Sequence, residues 1–339
     1  MNHQIKDFQI YPGEHCGSVA MRGLLDYYCD LKLPEAVVFG LGAGITSVFL
    51  QGPAMDPPYV LFGRTMNMEV DLGRHLGIDY REQPENDDDE AWRVVREEVL
   101  AGRPTMLTGD IFYLDYRDYK VHFPSHRFIL LGFDDEAEQA FIGDRVRDEP
   151  ETCSLDAIRL SRNPPAGMST QNLWGRFHDT AVGSDLRDAT ASALRQCALG
   201  MLTSPPLPEG DEGSGVIGLD ATRAYAESMS EIGERPDACA IASFNASCLE
   251  KFGNGGGNFR RLYAEFLTWA RALDPKLVPE SAPGLATFAA DAWTAASAAL
   301  FVASDREGDP APWAEAADHL RRAAEVEQNL FERIADATP

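Results

Sequence analysis

Basic residues are scarce in this chain: 30 Lys and Arg stand against 54 Asp and Glu, for a formal net charge of −24 over 339 residues. An excess of that sign repels nucleic-acid phosphates and anionic membrane surfaces, so neither is an expected partner. It also weighs against an acidic partner unless basic residues gather locally. Paired cysteines are missing too. Cys16, Cys29, Cys153, Cys197, Cys239 and Cys248 are scattered, with no CxxC spacing. Zinc clusters need short paired spacings and disulfide scaffolds belong to small secreted chains, so no metal site is expected and the thiols read as mostly free, in a reducing cytoplasm. No stretch approaches 18 uninterrupted apolar residues, and MNHQIKDFQIYPGEHCG has no basic region followed by an apolar run. Neither a membrane span nor a secretory signal is expected.

Apolar side chains are plentiful, at 44%. The length predicts two domains. The N-terminal half alternates short apolar strands with helices. A turn, Tyr11-Pro12-Gly13, precedes a helix from Cys16 to Leu31, where Ala20, Leu24, Tyr27, Tyr28 and Leu31 recur at helical spacing. Residues 36–50 are Gly-rich with strand-like pieces, and 59–64 read as a strand. Asp89–Ala101 reads as an amphipathic helix behind an acidic run that suits its N-terminus. Strands follow at 104–110, 127–133 and 139–143. The texture then changes. Asn163-Pro164-Pro165-Ala166-Gly167 marks a boundary, and SPPLPEGDEGSG (204–215) a second break. Beyond lie Ala-rich helices at about 258–272, 284–303 and 312–335. The reading is α+β, with domains over 1–163 and 164–339, the second mainly helical.

Cys16 opens a helix directly after a turn. The positive end of the helix dipole favours a thiolate there, and first-turn amides are free to hold an oxyanion. Gly17 beside it lets a carbonyl approach closely. A buried structural thiol is the alternative for any single cysteine. The stronger signal is a hairpin. His126 opens one apolar strand and Asp144 closes the next. With the turn centred on Asp135 the two lie directly opposite; with the centre one residue later they become diagonal neighbours on the same face. In either register Asp144 can orient the imidazole and steady its charged form. His122 competes with His126 but sits in the loop VHFPS, without Asp144 opposite. His15 adjoins the thiol, points elsewhere from the helix start and reads as structural. Asp110 is a second carboxylate that could partner a histidine or line an acceptor site. Tyr113 and Asp115 are further acceptor-site candidates, with exposed loop residues as the alternative.

The segments GEHCGSVAMRGLLDYY, LPEAVVFGLGAGI, GDIFYLDY and HFPSHRFILLGFDDE with a following GD occur in that order over about the first 150 residues. Together they resemble the butirosin biosynthesis protein H family. The later GNGGGNFRRLYAEFL is similar to the helical domain that often follows it. The resemblance implies a papain-like N-terminal domain, akin to bacteriocin-processing cysteine peptidases, with Cys16 as nucleophile, His126 as base and Asp144 as orienting residue. It also implies an acyltransferase. An (amino)acyl group would pass from a carrier-protein or pantetheine thioester to Cys16 and then to a small-molecule amine, with no cofactor beyond the donor's phosphopantetheine. Gln9 upstream is a candidate oxyanion amide, as in papain-like sites. Arg64 is a candidate for the anionic carrier arm. Arg260, behind Gly255-Gly256-Gly257, is another for the arm's phosphate at a helix N-terminus, although the loop lacks phosphate-loop spacing. A carrier would need a basic patch, sought near Arg260 and Arg261. Two other readings stay open: a cysteine peptidase or thioester hydrolase with the same residues, and a non-catalytic binding protein of the same fold. Homodimerisation is left open.

Overall fold

The computed structural model describes residues 1–53, 55–165, 169–204 and 214–338. The second predicted break and part of the first (166–167) therefore lie largely outside the described residues. In chain order the elements are β1 (Asn2–Gln4), α1 (Cys16–Cys29), α2 (Glu35–Leu41), β2 (Ile45–Gln51), β3 (Tyr59–Arg64), α3 (Met68–Leu76), β4 (Tyr80–Gln83), α4 (Asp88–Leu100), β5 (Thr105–Gly109), β6 (His126–Asp134), β7 (Gln139–Gly143), β8 (Glu151–Ser154), α5 (Leu155–Arg162), β9 (Trp174–Phe177), α6 (Leu186–Thr203), β10 (Ser214–Ile217), α7 (Leu219–Gly233), α8 (Ala238–Glu250), α9 (Arg260–Leu273), α10 (Ala282–Ser304) and α11 (Ala311–Ala337). The class is α+β, sheet-rich at the N-terminal side and helical toward the C-terminus.

These elements form two compact units, Met1–Val38 with Leu76–Gly183, and Phe39–His75 with Ser184–Pro339. The division is interleaved, whereas a boundary at 163/164 is one linear cut. The reason lies in strand pairing. β2 pairs with β3 on one side and with β10 on the other, so the hairpin at 45–64 shares its sheet with a strand from the far half of the chain.

In the first unit an antiparallel sheet runs β4-β9-β5-β6-β7-β8, and β1 also pairs with β6. β6 is central. Its first half pairs with β5 (Gly109 opposite His126), its second half with β1, and its other edge with β7. Both faces of such a strand are covered, which is why it reads as the continuous apolar run FILL. Phe128, Leu130, Leu107 and Ile142 pack with Val95 and Val99 of α4 into one core. α4 starts where its acidic run predicts, with the Asp87 side chain accepting from the Glu90 amide.

One expectation is corrected nearby. Residues 35–41 are helix α2, not strand, with Pro34 supplying the first carbonyl to the Val38 amide at 3.1 Å. A short, fully buried apolar run carries no period that separates the two forms.

The second unit packs α6–α11 against the sheet β10-β2-β3. Trp293, Leu300, Trp313 and Leu320 centre its core. α10 is long and apolar enough by length and composition to cross a membrane, yet half of that stretch is buried inside the protein. Its apolar character serves the core. The run Gly255-Gly256-Gly257 has positive φ throughout, and a Cβ at Gly257 would lie 2.8 Å from the Ala290 carbonyl oxygen. These glycines are there for a left-handed turn pressed against α10.

Candidate active site

The site is assembled from three places in the first unit. Cys16 is the first residue of α1 and only 7% exposed. His15 is the N-cap, extended in backbone (φ −109°, ψ 124°), and its Nδ1 accepts the Ser18 amide at 3.1 Å. This is the structural role expected for it. Glu35 fixes the approach to the helix. Its carboxylate accepts the amides of Glu14 (3.0 Å) and His15 (2.7 Å) and the Ser18 hydroxyl (3.0 Å). Burial pushes the Glu35 carboxyl up from its usual range, against these hydrogen bonds.

His126 begins β6 and Asp144 follows the end of β7; both are buried. His126 Nε2 stands 3.2 Å from Asp144 Oδ2, and the ring also hydrogen-bonds the Cys16 side chain. A thiol, an imidazole and a carboxylate thus form a continuous chain. The electrostatics follow. Burial alone would lower the imidazole's pKa, but the Asp144 carboxylate and the Cys16 thiol outweigh it and raise it to about 10. Burial would likewise raise the Asp144 pKa, yet His126 and the Arg145 amide, 2.7 Å from Oδ1, hold it well below the usual carboxylate range.

Tyr116 was not singled out in the sequence. Its hydroxyl donates to Asp144 Oδ2 at 2.8 Å. Burial and the neighbouring carboxylate keep that phenol protonated, well above its ordinary pKa. Nothing local in GDIFYLDY distinguishes Tyr116 from Tyr113, because the contact spans 28 residues. Tyr116→Phe should leave the fold intact and slow any Cys16 chemistry several-fold, matching one hydrogen bond of about 1 kcal/mol. Steady-state rates of both proteins check this; an unchanged rate would show that Asp144 is held without it.

The other candidates separate. Gln9 lines the same small cavity as Cys16, and its amide donates to the Ile10 carbonyl at 2.8 Å. Gly17 occupies the first turn of α1. Asp110 does not partner His126. Its Oδ1 accepts the Phe112 and Phe123 amides, and its Oδ2 lies 2.7 Å from Nδ1 of His122. His122 therefore has a carboxylate partner of its own, at the neck of the 110–125 loop, and its ring stacks on Phe112. Tyr113 packs edge-on against the same two rings. Asp115 accepts the Ser154 amide at 3.1 Å, tying this loop to the start of α5.

The two arginines expected at an anion both lie in the second unit. Arg64 pairs with Glu69 at 3.4 Å. Arg260 corrects an expectation outright. It is buried, bonds Glu327 at 2.7 Å, and also reaches the Thr46 and Asn258 carbonyls and the Ser47 hydroxyl. The Gly257 amide is likewise taken, by Glu250 at 2.9 Å. A fully paired internal guanidinium is part of the packing and leaves no room for a phosphate. Arg261, the other half of the expected patch, is engaged with Asp291 and Thr294.

The cavity bordering Cys16 is small, about 10 Å³, and is lined among others by Phe8, Ile10, Val19 and Arg145. That is the space of about one water molecule. The six cysteines are all free thiols. Burial raises Cys29 to about 11 and Cys197 and Cys248 to about 12. Among the described residues, Cys16 is the cysteine bonded to a histidine that itself carries a carboxylate.

A sheet-rich unit presenting a thiol–imidazole–carboxylate chain at the start of a helix, joined to a helical unit, is the class that fold and geometry define. Residues 15–145 match the family model described as butirosin biosynthesis protein H, N-terminal, and residues 154–334 match a domain of unknown function (DUF4872). The chain belongs to the butirosin biosynthesis protein H family. No curated protein matches it.

Proposed function

We propose that the protein is a cysteine-dependent acyltransferase of antibiotic or other specialised-metabolite biosynthesis, with a papain-like arrangement of Cys16, His126 and Asp144. The observation that carries this reading is the hydrogen-bonded chain from the Cys16 thiol through His126 to Asp144, in a family named for a butirosin-biosynthesis protein. With Nε2 turned to Asp144, the ring nitrogen left for the thiol is Nδ1. In the resting state His126 is an imidazolium and Cys16 a thiolate. The thiolate attacks the carbonyl of an acyl thioester on a carrier protein or on pantetheine. The oxyanion is stabilised by first-turn amides such as that of Gly17, with the Gln9 side chain as a second donor. The old C–S bond breaks and the departing thiolate takes the proton of His126. An amine then attacks the Cys16 thioester, neutral His126 takes the amine's proton, and Cys16 leaves as thiolate. Thioester exchange is nearly balanced in energy, and amide formation drives the cycle.

The same thiol–imidazole–carboxylate chain also supports a second reading, hydrolysis of the same acyl-enzyme with water activated by His126. One experiment addresses both. The protein is incubated with acyl-pantetheine thioesters and its intact mass measured, with and without amines. A single acyl adduct is expected, located at Cys16 by peptide mapping, absent in Cys16→Ala, and discharged to amide when amine is added. Discharge to free acid at a rate independent of amine would assign hydrolysis. An adduct that persists in Cys16→Ala would sink both readings.

A further inference from the structure

The second unit holds a cavity of about 480 Å³, within the size range of small-molecule sites. Two helix faces line it. Glu227, Ser230 and Glu234 follow one another along α7 and its C-cap at i, i+3 and i+7; Ala314, Ala317, Asp318 and Arg321 follow along α11 at i, i+3, i+4 and i+7. Arg321 is tied to Asp318 at 2.7 Å. Glu227 and Glu234 have no ion-pair partner among the described residues, so the cavity keeps a negative surplus. The C-terminal end of the α7 dipole adds to it.

Trp313 supplies the second, independent feature. It is 4% exposed and lines the cavity, and its indole N–H has no hydrogen-bond partner among the described residues. The other buried tryptophan of this core, Trp293, donates to Glu327 at 2.7 Å. The Trp313 Nε1 is open to the cavity rather than enclosed, so the N–H is free to donate to a molecule held there. Gly233 keeps it accessible, since a Cβ there would lie 3.2 Å from Nε1 and 3.0 Å from Cδ1. The walls between the polar groups are apolar, from Ala226, Met229 and Pro310.

We propose that this cavity binds a small organic amine bearing a hydroxyl or carbonyl oxygen. The ammonium faces Glu227 and Glu234, and the oxygen accepts the Trp313 N–H. Binding in this cavity does not depend on the chemistry at Cys16.

The test follows the Trp313 indole ¹H–¹⁵N resonance in the full-length protein, at constant ionic strength and neutral pH. It is assigned with Trp313→Phe or, should that variant fail to fold, with Gly233→Ala, whose added methyl abuts the ring nitrogen. The probes are three molecules of nearly the same shape: Tris (a hydroxylated ammonium), pentaerythritol (neutral) and 2,2-bis(hydroxymethyl)propionate (an anion). Tris is expected to shift the resonance saturably in the millimolar range, about tenfold more tightly than pentaerythritol, and the anion not to shift it. Glu227→Gln with Glu234→Gln should erase the preference for Tris. An unmoved resonance, equal responses to Tris and pentaerythritol, a response to the anion, or a preference that survives the double substitution would each overturn the proposal.

Discussion

Replacing His126 by Ala is expected to slow alkylation of Cys16 by iodoacetamide at pH 6 by about two orders of magnitude, and by far less at pH 10. Only the thiolate is alkylated. An imidazolium hydrogen-bonded to the thiol keeps the thiolate populated in mild acid. The pKa of His126, raised to about 10 chiefly by Asp144 against the effect of burial, sustains that imidazolium across the neutral range. Without the ring, Cys16 falls back toward an ordinary thiol with pKa about 8.5, which at pH 6 is thiolate in only a few molecules per thousand. The other cysteines serve as controls in the same tube. Cys29 and Cys197 are held up at about 11 and 12 by burial and should lag behind Cys16 in the unmodified protein. Peptide mass spectrometry of timed samples reads all six at once. If Cys16 reacts no faster than Cys29, or if its acid reactivity survives His126→Ala, the ring is not activating the thiol.

The same geometry shows why the site was partly legible in the sequence. The apolar run FILL and the short link between β6 and β7 are local signals, and they place His126 and Asp144 at the same end of one hairpin. Their register was not legible. Near the turn the ladder pairs Gly132 with Phe141 and Phe133 with Ala140; beyond it Leu130 pairs with Ile142 and Ile129 with Gly143. One residue, Leu131, is extra. Had the first register continued, Asp144 would have fallen opposite Ile129, on the other face from His126. The bulge shifts the pairing by one, so that its continuation sets Asp144 opposite Phe128 and diagonal to His126. Of the two registers read from sequence, direct opposition fails and the diagonal one describes the strands, but for a reason that no turn motif announces. Tyr116 and Glu35 were missed for a related reason: each acts on a group distant in sequence, and neither belongs to a motif. Arg260 misled in the opposite direction. Glycines followed by arginines at a helix start look like an anion site locally, and only the packing of Glu327, 67 residues away, shows the charge already paired.

Asp144→Asn is expected to cost about 3–5 kcal/mol of stability near pH 5.5, because it removes the carboxylate that does most to keep the buried imidazolium charged. The loss should shrink as pH rises. The His126 pKa is raised in the folded protein, so its contribution is complete below the ordinary histidine value near 6.5 and fades as pH climbs through about 10. The Asp144 pKa is lowered, so its contribution is present above the ordinary carboxylate value near 4 and fades as pH falls below that. Both shifts describe mainly one interaction seen from its two ends, and it is counted once. The pair therefore stabilises most between about pH 4 and 6.5. Urea unfolding of both proteins, followed by circular dichroism at pH 5.5 and pH 10, should show a large difference at the first and a small one at the second. Equal differences at both would mean that Asp144 holds the hairpin through shape and hydrogen bonding rather than charge. That result would also remove the electrostatic reason for a charged His126 beside Cys16 at neutral pH, so stability and the acid reactivity of the thiol must stand or fall together.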